Sequence, residues 1–493
     1  MRSAYRLLLT VGLAVFMSGS LAAAKDSVTI GMVLEPPGLD PTTAPAAAIG
    51  EVTHYNIFEG LTKINEDFSV TPLLAQKWTF SPDLKTLTFT LKPNVKFQDG
   101  EPFSSKDVKF SFERYAAKDS TNKDKGFFAS IESIETPDPL TVVLRFKDPS
   151  FEALFHLGMN TAVILDEKSA AGEATNPVGT GPYKLSSWTK GASLTLDKWD
   201  GFRDAAKIPL ARATVRFISD PAAAVAAMLA GDVDAFPRFA NVQALDQFKS
   251  DPRFRVLIGG TEGKTILAIN NKRKPLDELK VRQAIAYAID RKAIIDGAQN
   301  GLGAPIGSHL TPNDPGYIDL TGMYPHDPEK AKRLLKEAGV TAPLNLTLIL
   351  PPPAYARQGG QIIAAQLAEV GINAKIEEVE WAQWLSRVYT DKNYDLTIIS
   401  HVEPLDIGIY ANPNYYYQYG SPAFREIYGK ITTAPNLEAY KAALVEAQKK
   451  LAEDAVNAFL FQLPNVTVAD AKLEGLWKNA PIFANDLSEM SWK

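Results

Sequence analysis

The chain has 493 residues, 45% of them hydrophobic and 22% charged, with no cysteine and a net charge of −5. That composition is globular, and it excludes disulfide frameworks, thiolate metal sites and cysteine nucleophiles. The acidic balance gives no support for nucleic-acid binding, and at about 100–200 residues per domain the length fits two to four domains or lobes.

The N-terminus reads as a secretory signal. Arg2 and Arg6 form a basic start, and Leu7 to Met17 is apolar. That run is too short for a bilayer span, which takes about 20 residues. Ala22 and Ala24 then fit a small-residue cleavage pattern. The mature chain is expected to start near Lys25. Residues 1–24 hold two Arg and no acid, which leaves a net charge of −7. An exported chain without disulfides and without a Cys for lipid anchoring fits a bacterial periplasm.

Val28 to Leu34 predicts a strand, stopped by Glu35-Pro36-Pro37-Gly38. Ile49 to Leu61 has helical spacing. The sharpest strand pattern is Leu87, Phe89 and Leu91 alternating with Thr86, Thr88 and Thr90. Ser105 can cap a helix over Lys106 to Tyr115, and Leu140 to Phe146 is a further strand. Residues 176–185 form a Gly/Pro-rich loop leading into a strand, and Pro221 opens a helix through Leu229. Gly259 to Thr265 approaches a phosphate-loop pattern but is one residue short, because the first Gly would fall on Ile258. It reads as a turn before a short strand, Ile266 to Ile269. Arg282 to Ile295 predicts one amphipathic helix, and Asp327-Pro328 opens another that Gly339 closes. Leu344 to Leu350, Ile372 to Val379 and Tyr394 to Ser400 are strands. Gly360 to Val370 and Leu437 to Ala452 are helices. From about Leu276 onward helices and strands alternate, which indicates α/β units with a partly parallel sheet.

No catalytic chemistry emerges. The five His (His54, His156, His309, His326 and His401) lack helical metal spacing, and there is no GxSxG elbow or SxxK motif. Gly301-Leu302-Gly303 lacks the third Gly of a dinucleotide fingerprint. No catalytic residue, metal or cofactor is expected.

Several blocks, in order, resemble the extracytoplasmic solute-binding proteins of family 5, the receptors of peptide/nickel-class ABC importers. They are Glu59-Gly60-Leu61 with Leu73-Leu74-Ala75 and Trp78, then Leu87 to Gly100 with Pro102-Phe103, and Gly179-Thr180-Gly181-Pro182-Tyr183. Met228 to Ala235, Val281 to Ile294, Asp327 to Gly339, and Leu367 to Ile376 with Trp381 follow. The resemblance implies an α/β, two-lobed periplasmic binding protein of type II, a venus-flytrap with an extra inserted domain. It implies lobe I from residues 25–59, 183–268 and 468–493, an extra domain at 60–182, and lobe II at 269–467. It also implies a monomer that delivers its ligand to two permease subunits driven by two ATPases. The Gly in Phe97-Gln98-Asp99-Gly100 is read as turn chemistry. Arg282 and Asp290 are read as solvated or helix-end charges.

Peptide binders of this family hold the peptide ammonium with an Asp in a WxxDYPDP-like segment after a YDL strand. Here Tyr394-Asp395-Leu396 is followed by His401-Val402-Glu403-Pro404-Leu405-Asp406-Ile407, which departs from that pattern. Asp406 or Glu403 is expected to supply the anionic anchor, beside His401. Tyr410, Tyr416 and their neighbours Tyr415, Tyr417 and Tyr419 offer flat amphipathic contact area or pack against their own lobe. Trp381 is expected at the cleft and Trp384 in a core. Glu35 and Leu39 end the first strand, where open α/β sheets place ligands, and Asn270 follows a strand near the interlobe crossing. The expected ligand is a short peptide. The alternatives are another polar solute (an oligosaccharide, an opine-like conjugate or a nickel chelate), a sensory or heme-carrier role on the same fold, or an exported hydrolase.

Overall fold

A computed structural model describes residues 25–44, 46–314 and 316–493; the signal segment 1–24 lies outside the described residues. After β1 (Ser27–Met32) comes an antiparallel four-stranded sheet. It holds β2 (Ala75–Phe80), β3 (Thr86–Leu91), β4 (Ile131–Asp138) and β5 (Thr141–Phe146), in the order β2-β3-β5-β4. On β3 the predicted alternation holds: Leu87, Phe89 and Leu91 are buried and the threonines half-buried, because successive side chains leave a strand on opposite faces. Helix α1 (Ser105–Ala116) packs on this sheet. Its cap is Ser104 rather than Ser105. Asp107, three residues after Ser104, accepts the Ser104 N–H at 2.7 Å and completes a capping box.

The large sheet adds β6 (Tyr183–Thr189), β7 (Ser193–Lys198), β8 (Arg212–Phe217), β9 (Ala235–Phe236), β10 (Phe254–Ile269), β11 (Leu344–Leu350), β12 (Ile372–Glu378), β13 (Leu396–His401) and β14 (Asn457–Asp470). Its order is β12-β11-β13-β10-β14-β9-β1-β8-β7-β6. At one end β12, β11 and β13 are parallel, as the α/β alternation predicts. At the other, β1 is parallel to β8 and β9, and β8, β7 and β6 form an antiparallel meander.

Strands β10 and β14 run through both ends, so the two lobes are joined by paired strands. Phe254 to Gly260 pairs with Pro464 to Asp470 in lobe I. Lys264 to Ala268 pairs with Asn457 to Gln462 in lobe II, with a register shift between Gly260 and Lys264. The segment Gly259 to Thr265 is therefore not a turn but the crossing itself. Its glycines are there for close approach: a Cβ on Gly259 would meet the Lys478 carbonyl at 2.1 Å, and one on Gly260 the Asn313 amide at 2.5 Å. The expected changeovers at 268 and 467 both fall within these two paired strands, and Lys264 already pairs with His401 of β13.

The four-stranded sheet falls inside the expected insert 60–182, yet it shares one core with lobe I. Leu87, Phe89 and Leu144 belong to the same buried cluster as Ile30, Leu194 and Val215. Lobe II buries both faces of its sheet. Leu267, Leu348 and Ile398 face one core; Ile266, Ile349 and Ile399 face the other.

The helices include α2 (Pro221–Ala230), α3 (Leu279–Ala288), α4 (Arg291–Gln299), α5 (Pro328–Glu337), α6 (Ala354–Glu369), α7 (Pro422–Thr432) and α8 (Leu437–Glu453). The single helix predicted over Arg282 to Ile295 breaks between α3 and α4. There Asp290 is extended and caps α4 by accepting the Ala293 N–H at 3.1 Å. Arg282 is a helix-end contact, donating to the carbonyls of Leu276, Asp277 and Asp454. The predicted helix at Ile49 to Leu61 is shorter, Ala47–Thr53.

Candidate functional site

Adjoining cavities of about 350, 150, 240 and 790 Å³ lie between the lobes. The segment after β13, Val402 to Leu405, borders all four. Lobe I contributes Lys123, Phe151 and Phe155, lobe II contributes Tyr355 and Tyr440, and Glu262 of the crossing borders two of the chambers. The lobes touch across this cleft. Lys123 Nζ lies 3.2 Å from Glu403 Oε1. Phe151 stacks on Tyr440 with centroids 5.4 Å apart, and the Tyr440 hydroxyl donates to Glu152.

The central loop is held by buried polar groups. Leu405 adopts a left-handed conformation, φ 58°, and the next residue, Asp406, meets β10. Asp406 Oδ1 accepts from Lys264 Nζ at 2.9 Å and from His309 Nε2 at 3.0 Å. Lys264 also donates to the Glu403 carbonyl at 2.5 Å. Burial alone would raise the Asp406 carboxyl, but the Lys264 charge and then His309 hold it well below the usual carboxylate range. The Tyr410 hydroxyl meets His309 Nδ1 at 3.0 Å and accepts from the Asn457 amide at 3.0 Å. This chain assigns the His309 proton to Nε2, facing Asp406.

His401 ends β13 and closes the other side. Its Nε2 meets the hydroxyls of Tyr416 at 2.8 Å and Tyr417 at 2.5 Å, and its Nδ1 faces Asp406 Oδ2 at 3.9 Å. Burial above all pulls its pKa down to about 4, so the ring is neutral near pH 7. Ligand atoms of His401, Glu403 and Asp406 lie within 4.8 Å of one another. A metal ion there would compete with the Lys264 ammonium, which already pairs with Asp406.

The structure thus brings His401, Glu403 and Asp406 together at the cleft. Tyr410 and Tyr416 are buried beneath them in a layer of rings. Tyr410 stacks on Tyr417 at 5.1 Å, and His401 on Tyr416 at 6.0 Å. These rings support the loop from below and do not present a face to the cavity. Trp381 is 43% exposed and lines none of the four cavities; it stands edge-on to buried Trp384, whose indole donates to Thr397 at 2.9 Å.

Three expected site residues are built into the scaffold instead. Asn270 is buried and donates to the carbonyls of Lys392 and Tyr394. Glu35 accepts the indole N–H of Trp188 and the N–H of Gly191, both at 2.9 Å, which ties it to the β6–β7 hairpin. Leu39 is fully buried in the lobe I core. Just beyond β1, Leu34 is 65% exposed, while Glu35 is engaged by that hairpin.

Reading Gly259 to Thr265 as a turn hid Glu262 and Lys264. Both are buried, 2% and 1% exposed. Two charges spaced by two on an otherwise apolar strand put both on one face, and that spacing was the available signal. Lys123, Phe151 and Tyr440 gave no local signal, since their role arises only where the lobes meet.

A family model described as bacterial extracellular solute-binding proteins, family 5 Middle, matches residues 69–422. The chain is similar to the glutathione-binding protein GsiB of Salmonella paratyphi A, with 29% identity over 391 residues, 78% of this chain and 75% of that protein. It is similar to the dipeptide-binding protein of Escherichia coli K12, with 31% identity over 349 residues, 64% of this chain and 65% of that protein. Among solved structures it resembles the periplasmic binding protein AgaA of A. tumefaciens R10, solved with agropinic acid. There the TM-score is 0.80 with 26% identity, covering 95% of this chain and 99% of that one.

Proposed function

The chain belongs to the bacterial extracellular solute-binding proteins of family 5, and on that premise we propose that it captures short peptides between its lobes and passes them to an ABC importer. It acts in the periplasm after loss of residues 1–24, without a lipid anchor and as a monomer. Two permease subunits and their two ATPases take the ligand onward. The relatives are solute-binding proteins rather than enzymes.

The observation that carries this reading is the cleft itself. Its chambers are lined from both lobes, and they are closed by Lys123–Glu403 and Phe151–Tyr440, contacts that exist only when the lobes meet. A ligand that touches both walls binds the closed form better and shifts the population toward it. Glu403 supplies the ammonium anchor, and Asp406, paired with Lys264, holds the loop that presents it. The Glu403 side chain is 40% exposed at the cleft, and Asp406 Oδ2 has no hydrogen-bond donor among the described residues. In this reading the ligand ammonium replaces Lys123 at Glu403. The likeness to AgaA supports a second ligand class, an opine-like conjugate, for the same cleft and the same transport role.

The test is thermal shift of the mature chain, unfolded and refolded to strip ligand. The panel holds di- to pentapeptides, their N-acetylated forms, oligosaccharides, an opine and nickel chelates. A ligand at 100 times its Kd stabilises by about 2.7 kcal/mol. Stabilisation by free but not acetylated peptides, weakened in Glu403→Gln and Asp406→Asn, is the expected result. A shift with an opine, sugar or chelate and none with any peptide overturns the peptide assignment.

A further inference from the structure

Glu262 lies on β10 at the crossing between the lobes. It is buried, and neither of its carboxyl oxygens meets a hydrogen-bond donor among the described residues. Another acid, Asp314, lines the same 240 Å³ chamber, and its Oδ2 accepts the Thr311 N–H at 2.6 Å. The other charged groups near it are engaged elsewhere. Lys264 is held by Asp406 and the Glu403 carbonyl. Across one chamber Tyr440 donates to Glu152. Across the other, Arg238 is held by Glu51 at 2.8 Å and Asn485 at 2.8 Å, and the Tyr355 hydroxyl accepts the Ser400 N–H at 3.2 Å. So two acids with no cation within ion-pair distance among the described residues border one chamber of the cleft, and Glu262 borders a second; the Lys264 charge reaches them only from its own pair with Asp406.

A buried carboxylate without a cation is costly, and two adjoining carboxyls are compatible only when they share a proton. We propose that Glu262 and Asp314 form a second cation subsite of the cleft, which keeps one proton between its carboxyls until a lysine or arginine side chain of the ligand enters and displaces that proton to solvent. The inference rests on the reading that peptides bind in this cleft, and it adds a preference for basic ones. The electrostatics agree with the geometry: burial first, and then the Asp314 charge, push the Glu262 carboxyl well above its ordinary range. Uptake of a basic peptide then releases a proton and tightens as pH rises, whereas uptake of a neutral peptide does neither.

Calorimetry in two buffers of different ionisation enthalpy tests this near neutral pH on the ligand-stripped mature chain. The probes are Ala-Lys-Ala and Ala-norleucine-Ala, which share length and termini. The lysine peptide should bind about tenfold more tightly and release close to one proton. Glu262→Gln should lose both the gain and the proton release while keeping the norleucine peptide, and Asp314→Asn should weaken both. Equal affinity and equal proton release for the two peptides, or their survival in Glu262→Gln, overturns the subsite and leaves the peptide reading intact. Failure of both peptides to bind overturns that reading, and the basic-peptide subsite falls with it. Infrared spectra report the shared proton separately. A protonated-carboxyl band that persists in Glu173→Gln and is lost from that background in Glu173→Gln/Glu262→Gln supports the pair, and no difference between those two variants overturns it.

Discussion

Lys264 Nζ lies 2.9 Å from Asp406 Oδ1. That contact ties the strand joining the lobes to the loop that faces the ligand. Because both partners are buried, removing one leaves the other uncompensated, which costs about 3–5 kcal/mol. Lys264→Met and Asp406→Asn should each lose that much in urea unfolding. The double variant should recover most of it, because no lone charge remains.

Closure rests more on packing than on charge. Lys123–Glu403 is a partly exposed pair, of a kind worth less than about 1 kcal/mol. The Tyr440 ring carries both the stack on Phe151 and the hydrogen bond to Glu152. Small-angle scattering of the ligand-free protein should show a larger radius of gyration for Tyr440→Ala and almost none of that change for Lys123→Ala.

Glu173 is fully buried, accepting from the Ser169 hydroxyl at 2.5 Å and the Val178 N–H at 2.6 Å. Burial first raises its pKa to about 7. An acid with a raised folded pKa holds a proton that the unfolded chain has lost. Its stability contribution is complete below about pH 4.5 and is lost as pH rises through about 7. Glu173→Gln should therefore gain on the order of 3 kcal/mol over the parent near pH 8 and nothing near pH 4, read from denaturant midpoints across pH.

Gly179 and Gly181 pack against backbone that has no room to swing away. A Cβ on Gly179 would stand 1.9 Å from the Ile57 carbonyl, and one on Gly181 2.4 Å from that of Asn56. Gly179→Ala should cost more than about 4 kcal/mol in thermal unfolding. Gly126 sits in open space within the short helix Lys125–Ala129. Gly126→Ala should stabilise by up to about 1 kcal/mol.

Local pattern was enough for much of the fold. The threonine alternation of β3 and the apolar runs of β11 and β13 are strands because burial of one or both faces writes itself into short sequence. Asp327-Pro328 opens α5 as predicted, with Asp327 accepting the Lys330 N–H at 2.8 Å. Asp290 shows the limit: its capping role breaks a helix that periodicity alone would run straight through. For the candidate site, the loop His401 to Asp406 was legible because it follows a recognisable strand. Glu262 was lost to a glycine-rich segment that reads as a turn, since close approach and chain reversal both call for glycine. Glu35 and Leu39 are engaged by the hairpin and the lobe I core, contacts that only tertiary structure shows.

The loop Val402 to Leu405 rests on rings that are already packed against one another. Tyr410, Tyr416 and Tyr417 take their order from the lobe II core, not from whatever fills the chambers. Recognition and architecture are therefore carried by different residues. A lineage, or an engineer, can exchange the few side chains that meet the cargo while the floor under them stays in place. A receptor built this way retunes its diet without having to learn again how to fold.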